Sequence, residues 1–214
     1  DLLEYGGQDI RDKTLESRRN WLEMVCRETH SEKLLLSPSV KFATWADLQA
    51  MHAKSRENMA EGFMLKRIAS TYQVGRKRGD WWKWKVDPMQ IDAVLVYAQK
   101  GHGRRADLFT DYTFAVWDGD KLVTFAKAYS GLTDQEIRLV DAFVKRNTFE
   151  KFGPVRTVKP ELVFEIGFEG IQASARHKSG IAVRFPRILR WRTDKTASEA
   201  NSLADLRGLL AATP

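Results

Sequence analysis

Two stretches of this sequence hold residue types that bind phosphate. Between Lys66 and Lys85 there are seven basic residues and one acid: Lys66, Arg67, Arg76, Lys77, Arg78, Lys83 and Lys85 against Asp80. Between Arg176 and Lys195 the balance is again seven to one: Arg176, Lys178, Arg184, Arg187, Arg190, Arg192 and Lys195 against Asp194. Trp81, Trp82 and Trp84 interleave the first cluster, and Phe185 and Trp191 the second. The whole chain has a net charge of +7, so the residues outside these two windows are net acidic. A single charge run is usually a solvated face. Two matched clusters, each set among aromatic rings, suit a polyanionic ligand such as nucleic acid. Residues two apart on a strand point to the same side, so Lys83 and Lys85 can meet one ligand face together.

The elements that must hold these residues follow from apolar spacing. Thr14 opens a helix over about 14–29, and Thr44 caps a second over about 45–59. Leu34–Leu36 reads as a short buried strand. Glu61–Lys66 and Trp81–Val86 read as strands around a basic, glycine-flanked loop, Gly75–Gly79. After Pro88 the texture changes, which puts a domain boundary there and divides the chain into 1–88 and 89–214. Strands are expected over Ile91–Gln99, Thr110–Trp117, Leu122–Tyr129, Val155–Val158 and Leu162–Ile171, with Asp118-Gly119 a two-residue hairpin turn. Thr133 opens a helix between the third and fourth of these strands, and a last helix runs from about Ser198 to Leu210. Five strands with a helix in that position form the pattern of the five-stranded OB-fold barrel. The fold class is therefore α+β.

Composition narrows the function classes. The chain has 214 residues, 43% of them hydrophobic, an ordinary globular balance. No apolar run approaches the ~18 residues that span a bilayer, and no signal peptide opens the chain. A cytoplasmic monomer with no membrane partner is expected. The lone Cys26 excludes an intrachain disulfide framework and reads as a packing residue. Four histidines without ligand spacing, and no CxxC, argue against zinc. His52 reads as a packing residue of the second helix.

Three segments taken together resemble the ATP-dependent DNA ligases, most closely the bacterial ones. Glu61-Gly62-Phe63-Met64-Leu65-Lys66-Arg67 resembles motif IV of the covalent nucleotidyltransferases, EGxxxKR. Trp81-Trp82-Lys83-Trp84-Lys85 resembles motif V, an aromatic residue followed by Lys-x-Lys. Arg184-Phe185-Pro186-Arg187, with Arg192-Thr193-Asp194-Lys195 after it, resembles motif VI, RFPR…RxDK. Asp1-Leu2-Leu3 looks like the tail of motif III, and Leu15-Glu16-Ser17-Arg18-Arg19 like the LxxRR that follows it. Motifs IV and V alone are weak signals; their order, with a full motif VI about a hundred residues later, is a strong one.

The resemblance implies that residues 1–88 are the C-terminal half of an adenylation domain and residues 89–214 an OB domain. It implies an enzyme that moves AMP from ATP to a lysine, then to the 5′-phosphate of nicked double-stranded DNA, and releases it when a 3′-hydroxyl attacks. ATP and Mg²⁺ are the cofactors so implied. Glu61 would hold the metal, and Lys66, Lys83 and Lys85 the nucleotide phosphates. Arg192, Asp194 and Lys195 would serve the β- and γ-phosphates. Arg76, Lys77 and Arg78, outside any motif, would contact DNA phosphates together with Arg184, Arg187 and Arg190. Phe185 and Pro186 read as packing residues. RNA ligases and capping guanylyltransferases share motifs IV and V but generally lack this motif VI, and a non-catalytic nucleic-acid-binding OB module is the alternative of a different class.

The family's nucleophile is the lysine of a KxDG tetrapeptide, and no KxDG occurs in these 214 residues. The reacting lysine is therefore expected from an upstream segment of the adenylation domain. Incubated with labelled ATP and magnesium, this chain by itself is expected to carry no AMP on a denaturing gel. A stoichiometric label on the protein would sink that expectation.

Overall fold

A computed structural model describes residues 1–58 and 60–212. The chain forms two compact units, Asp1–Val86 and Asp87–Pro214. Among the described residues no helix is long and apolar enough to cross a membrane.

The first unit opens with a minimal hairpin, β1 (Glu4–Tyr5) and β2 (Gln8–Asp9), turned at Gly6-Gly7. Helix α1 (Leu15–Thr29) starts where the Thr14 side chain accepts the Ser17 N–H and ends where His30 turns left-handed. Helix α2 (Trp45–Ala53) begins with a reciprocal cap between Thr44 and Asp47. It stops six residues short of the expected end, where the Lys54 N–H bonds back to the last turn. Strands β3 (Gly62–Lys66) and β4 (Trp81–Lys85) form an antiparallel pair. Leu34–Leu36 is not a strand, and Leu35 is 84% exposed. Among the described residues of this unit β1 pairs only β2 and β3 only β4, and no ladder includes that apolar run.

The interior of this unit is unusual. Among its described residues only Ile10 and Leu48 are fully buried hydrophobics, whereas Arg18 is buried completely. Its guanidinium donates to the Asp1 carboxylate at 2.8 and 3.1 Å, to the Ser70 carbonyl at 3.2 Å and to the Lys13 carbonyl. One side chain thus ties the chain before α1 to the turn after β3.

The second unit is built on β5 (Met89–Lys100). β6 (Phe109–Asp118) and β7 (Lys121–Ala128) follow as a meander across the tight turn after Asp118. Helix α3 (Asp134–Arg146) comes next, capped reciprocally by Thr133 and Glu136. Then come β8 (Thr148–Phe152), β9 (Val155–Val158) and β10 (Val163–Phe168). The hairpin β11 (Gly170–Ala173) and β12 (Ile181–Arg184), then β13 (Arg187–Trp191) and α4 (Leu203–Ala211), complete the unit. The principal sheet runs β13-β10-β5-β6-β7, with β9 pairing β5 beyond the end of β10 and β8 pairing β9. A curled antiparallel sheet of five main strands, with a helix between the third and fourth, is the OB-fold arrangement.

The core lies between this sheet and the two helices. Ile137, Val140 and Val144 on α3 and Leu203 and Leu206 on α4 pack with Leu95, Phe114, Phe164, Ile166 and Phe168 from the strands. The Phe114 and Phe164 rings meet edge to face at 5.5 Å. Asp141 fastens α3 to the sheet by accepting the Phe109 N–H at 3.0 Å.

Phe114 has no solvent exposure and sits at the centre of this packing. Phe114→Ala is expected to destabilise the second unit by about 3–5 kcal/mol, read as a lowered denaturant midpoint. A loss below ~1 kcal/mol would contradict its central place.

Candidate functional site

In the first unit the β3–β4 register decides what the cations face. Gly62 lies opposite Lys85, Met64 opposite Lys83, and Lys66 opposite Trp81. Cross-strand partners share a face, so Lys66, Lys83 and Lys85 stand together on one side of the pair. Phe63 and Trp84 point to the other, where α2 lies. The His52 ring stacks on Trp84 at 4.1 Å and 11°, and its Nε2 hydrogen-bonds the Trp84 carbonyl at 3.0 Å. Phe63 meets the same ring edge-on at 5.8 Å.

The three lysines are not equivalent. Lys83 and Lys85 are exposed, while Lys66 is half-buried with its ammonium 4.0 Å from the Trp81 ring centroid. Burial, with Arg18 and Arg19 nearby, lowers the Lys66 ammonium from its usual range. Glu61 lies just before β3, and its carboxylate is 3.4 Å from the Lys85 ammonium. Both groups are about two-fifths exposed, so the pair itself contributes little stability.

Gly62 makes this arrangement possible. Its φ is +128°, and a Cβ there would lie 2.0 Å from the Trp84 carbonyl oxygen and 2.8 Å from the Lys85 Cα. A side chain at this position would push β4 away, so glycine lets Glu61 and Lys85 meet across the strand start. Arg76, Lys77 and Arg78 are exposed on the β3–β4 loop. Lys77 lines a recess of about 180 Å³ with Tyr72, Asp80 and Trp81, small for a nucleotide.

In the second unit Arg192, Asp194 and Lys195 gather on Asp92. Asp92 Oδ2 accepts from Arg192 Nη1 at 2.7 Å and from Lys195 Nζ at 2.6 Å. Asp194 takes the other edge of the guanidinium, from Nε at 2.9 Å and Nη2 at 2.7 Å. That contact holds the Asp194 carboxyl far below its usual range and raises the guanidinium further.

The remaining motif residues divide. Arg187 donates to Glu169, whose side chain is 4% exposed, at 2.8 Å, so it anchors β13. Arg190 pairs with Glu165 at 3.1 Å on a surface position. Arg184 stacks its guanidinium 4.9 Å from the Phe185 ring. Phe185, expected as a packing residue, is 61% exposed and holds a left-handed φ of 52°. The turn between β12 and β13 throws its ring outward, whereas Pro186 beside it is half-buried.

Sequence reasoning missed Asp92 and Glu169. Each is a buried acid in a chain segment that reads as apolar strand. The signal was there for Asp92, a lone carboxylate between Ile91 and the run Ala93–Val96. A buried charge in a strand needs a cationic partner.

A lysine face beside one carboxylate, and an OB-fold with a second group of cations, present charge of the kind that suits phosphates. The sequence matches sharpen that class. Residues 1–85 match the family described as "ATP dependent DNA ligase domain", and residues 105–195 match "ATP dependent DNA ligase C terminal region". A "Probable DNA ligase" of Koribacter versatilis is 37% identical, over 95% of this chain and 39% of its own length. Another of Opitutus terrae is 44% identical, over 85% of this chain and 18% of its own. A "DNA ligase" of Halorubrum lacusprofundi is 36% identical, over 95% and 33%. The chain thus spans well under half the length of these relatives. The solved structure "Pmar-Lig_PreS3" shares the fold at TM-score 0.62 and 17% identity, over 84% of this chain and 39% of that one. One described as "DNA binding with a minimal scaffold: Structure-function analysis of Lig E DNA ligases" does so at 0.60 and 18%, over 84% and 59%. The chain belongs to the ATP-dependent DNA ligase family.

Gly62→Ala is expected to cost about 1–3 kcal/mol through the left-handed backbone and the collision with β4. Equilibrium unfolding measures it. A variant as stable as the parent would show that the strand start tolerates a side chain.

Proposed function

We propose that this chain is the C-terminal part of the catalytic core of a ligase that seals nicks in double-stranded DNA. The observation that carries the reading is the lysine face beside Glu61, together with Lys195, held on Asp92, on the OB unit. In each step a phosphoryl group changes partners, so positioning and charge neutralisation supply most of the catalysis. The reacting lysine comes from the upstream part of the adenylation domain.

Within this reading Lys83 and Lys85 take the oxygens of the α-phosphate, which later becomes the phosphate of the DNA-bound AMP. Lys66, half-buried against Trp81, is the least exposed of the three and stands at the edge of the same face. Lys195 takes the leaving phosphates of ATP in the first step. Arg76, Lys77, Arg78, Arg184 and Arg190 are surface cations that suit the DNA backbone. Arg187, committed to a buried acid, serves the fold.

Glu61 is the residue that would hold Mg²⁺. Among the described residues no group of three or more His, Cys, Asp or Glu could hold a metal, so a protein-only cage is not available. One carboxylate next to bound phosphates fits Mg²⁺, which commonly takes one or two carboxylates and keeps its remaining positions for phosphate oxygens and water. Bound there, the ion would neutralise charge on the transferring phosphate.

Full-length enzyme carrying Lys85→Ala or Lys195→Ala tests the assignment. With ATP both variants are expected to adenylate about 30- to 1000-fold more slowly, the loss of one charge-assisted contact worth about 2–4 kcal/mol in the transition state. Supplied with pre-adenylated nicked DNA, the Lys195 variant should seal normally and the Lys85 variant should not. Equal defects of the Lys195 variant in both assays would remove it from the leaving phosphates and make the second cluster a DNA-binding surface.

A further inference from the structure

We propose that Asp92 is a positioning residue of the adenylation step, which orients the Lys195 ammonium for the leaving phosphates of ATP while Arg192 acts as a strut. This rests on the reading of Lys195 given above and assigns a role to a residue outside every motif.

Asp92 is close to fully buried and lies near the start of β5. Its backbone is held from both sides. Its N–H donates to Asn201 Oδ1 at 2.8 Å, its carbonyl accepts the Asn201 N–H at 2.9 Å, and across the sheet it is paired with Glu165. The carboxylate therefore has a fixed place, and both cations come to the same oxygen, Oδ2.

The two cations differ in what the acids leave them. Arg192 is gripped on two sides, by Asp92 and by both oxygens of Asp194, and its side chain is 14% exposed. Its planar fork is spent on carboxylates. Lys195 gives one contact to Asp92 and is twice as exposed, at 28%. An ammonium has three N–H donors, so two remain for an acceptor from outside among the described contacts. Arg192 is thus a poor candidate for direct phosphate contact and Lys195 a good one.

The charges within the cluster cancel: two cations face Asp92 and Asp194. Removing the charge of Asp92 would make the cluster more attractive to a polyphosphate and at the same time loosen the ammonium. Binding and turnover should therefore respond in opposite senses, which a general loss of folding would not produce. Misplacing a reacting or contacting group by about 1 Å can cost on the order of 100-fold in rate.

The test uses full-length ligase with Asp92→Asn, and measures adenylation against ATP concentration and sealing of pre-adenylated nicked DNA without ATP. The expected result is a maximal adenylation rate at least about tenfold lower, an ATP KM unchanged or lower, and sealing within about threefold of the parent. Combining it with Lys195→Ala should slow adenylation no further than Lys195→Ala alone. Asp92→Glu keeps the charge but displaces it by one methylene, and should also slow adenylation severalfold if Asp92→Asn fails to fold. Parent-like adenylation in a folded variant, a raised KM with unchanged maximal rate, or equal loss in both assays would overturn the positioning role. If Lys195→Ala itself proves equally defective in both assays, the underlying reading of Lys195 has failed instead.

Discussion

The second unit depends on β5 being paired along both edges. β6 runs along one side from Val94 to Lys100, with Asn201 bonding the Asp92 backbone before it; β10 and then β9 take the other. A strand in that position has its backbone fully engaged and its side chains buried on both faces, and Ala93, Val94 and Leu95 have no exposure at all. Asp92 belongs to this strand, and through it Arg192 and Lys195, from the segment after β13, are tied to the sheet. The cluster is held by β5, by Asn201 and, through the contact of Asp194 with Arg192, by its own loop.

The first unit is organised by polar contacts to a much greater degree. A fully buried arginine, Arg18, is bonded to one carboxylate and two carbonyls. A buried guanidinium is tolerable only when its donors are satisfied, and that requirement fixes the geometry of three chain segments at once. The lysine face of this unit is set by the β3–β4 register, by the stacking of His52 on Trp84 and by Gly62, each of which is directional.

Much of the fold was legible because periodicity and punctuation agree. Helices α1 and α3 begin at the threonines that cap them, and β5, β6 and β7 appear where alternation and the turn after Asp118 place them. Strands β8, β12 and β13 were not counted beforehand. Phe149 and Phe152 on β8 are exposed, so no inward-facing alternation marks that strand. In β13 Arg187 and Arg190 hide the apolar pattern carried by Ile188 and Trp191. The run expected over Leu162–Ile171 divides at Glu169, a buried acid that serves Arg187. The candidate site residues stand out in the sequence by type and by resemblance: lysines two apart, and RxDK. What spacing could not reveal was the long-range partner. Asp92 stands a hundred residues before Arg192, and no local signal joins them.

The stack of His52 on Trp84 gives the lysine face a backing. Trp84 alternates with Lys83 and Lys85, so a ligand drawn onto those ammonium groups presses its strand toward an aromatic ring already seated against α2. Compression there meets close-packed rings and a carbonyl held by the imidazole. The strand is thus backed by aromatic packing, whereas Arg76, Lys77 and Arg78 stand exposed on the loop that joins β3 to β4.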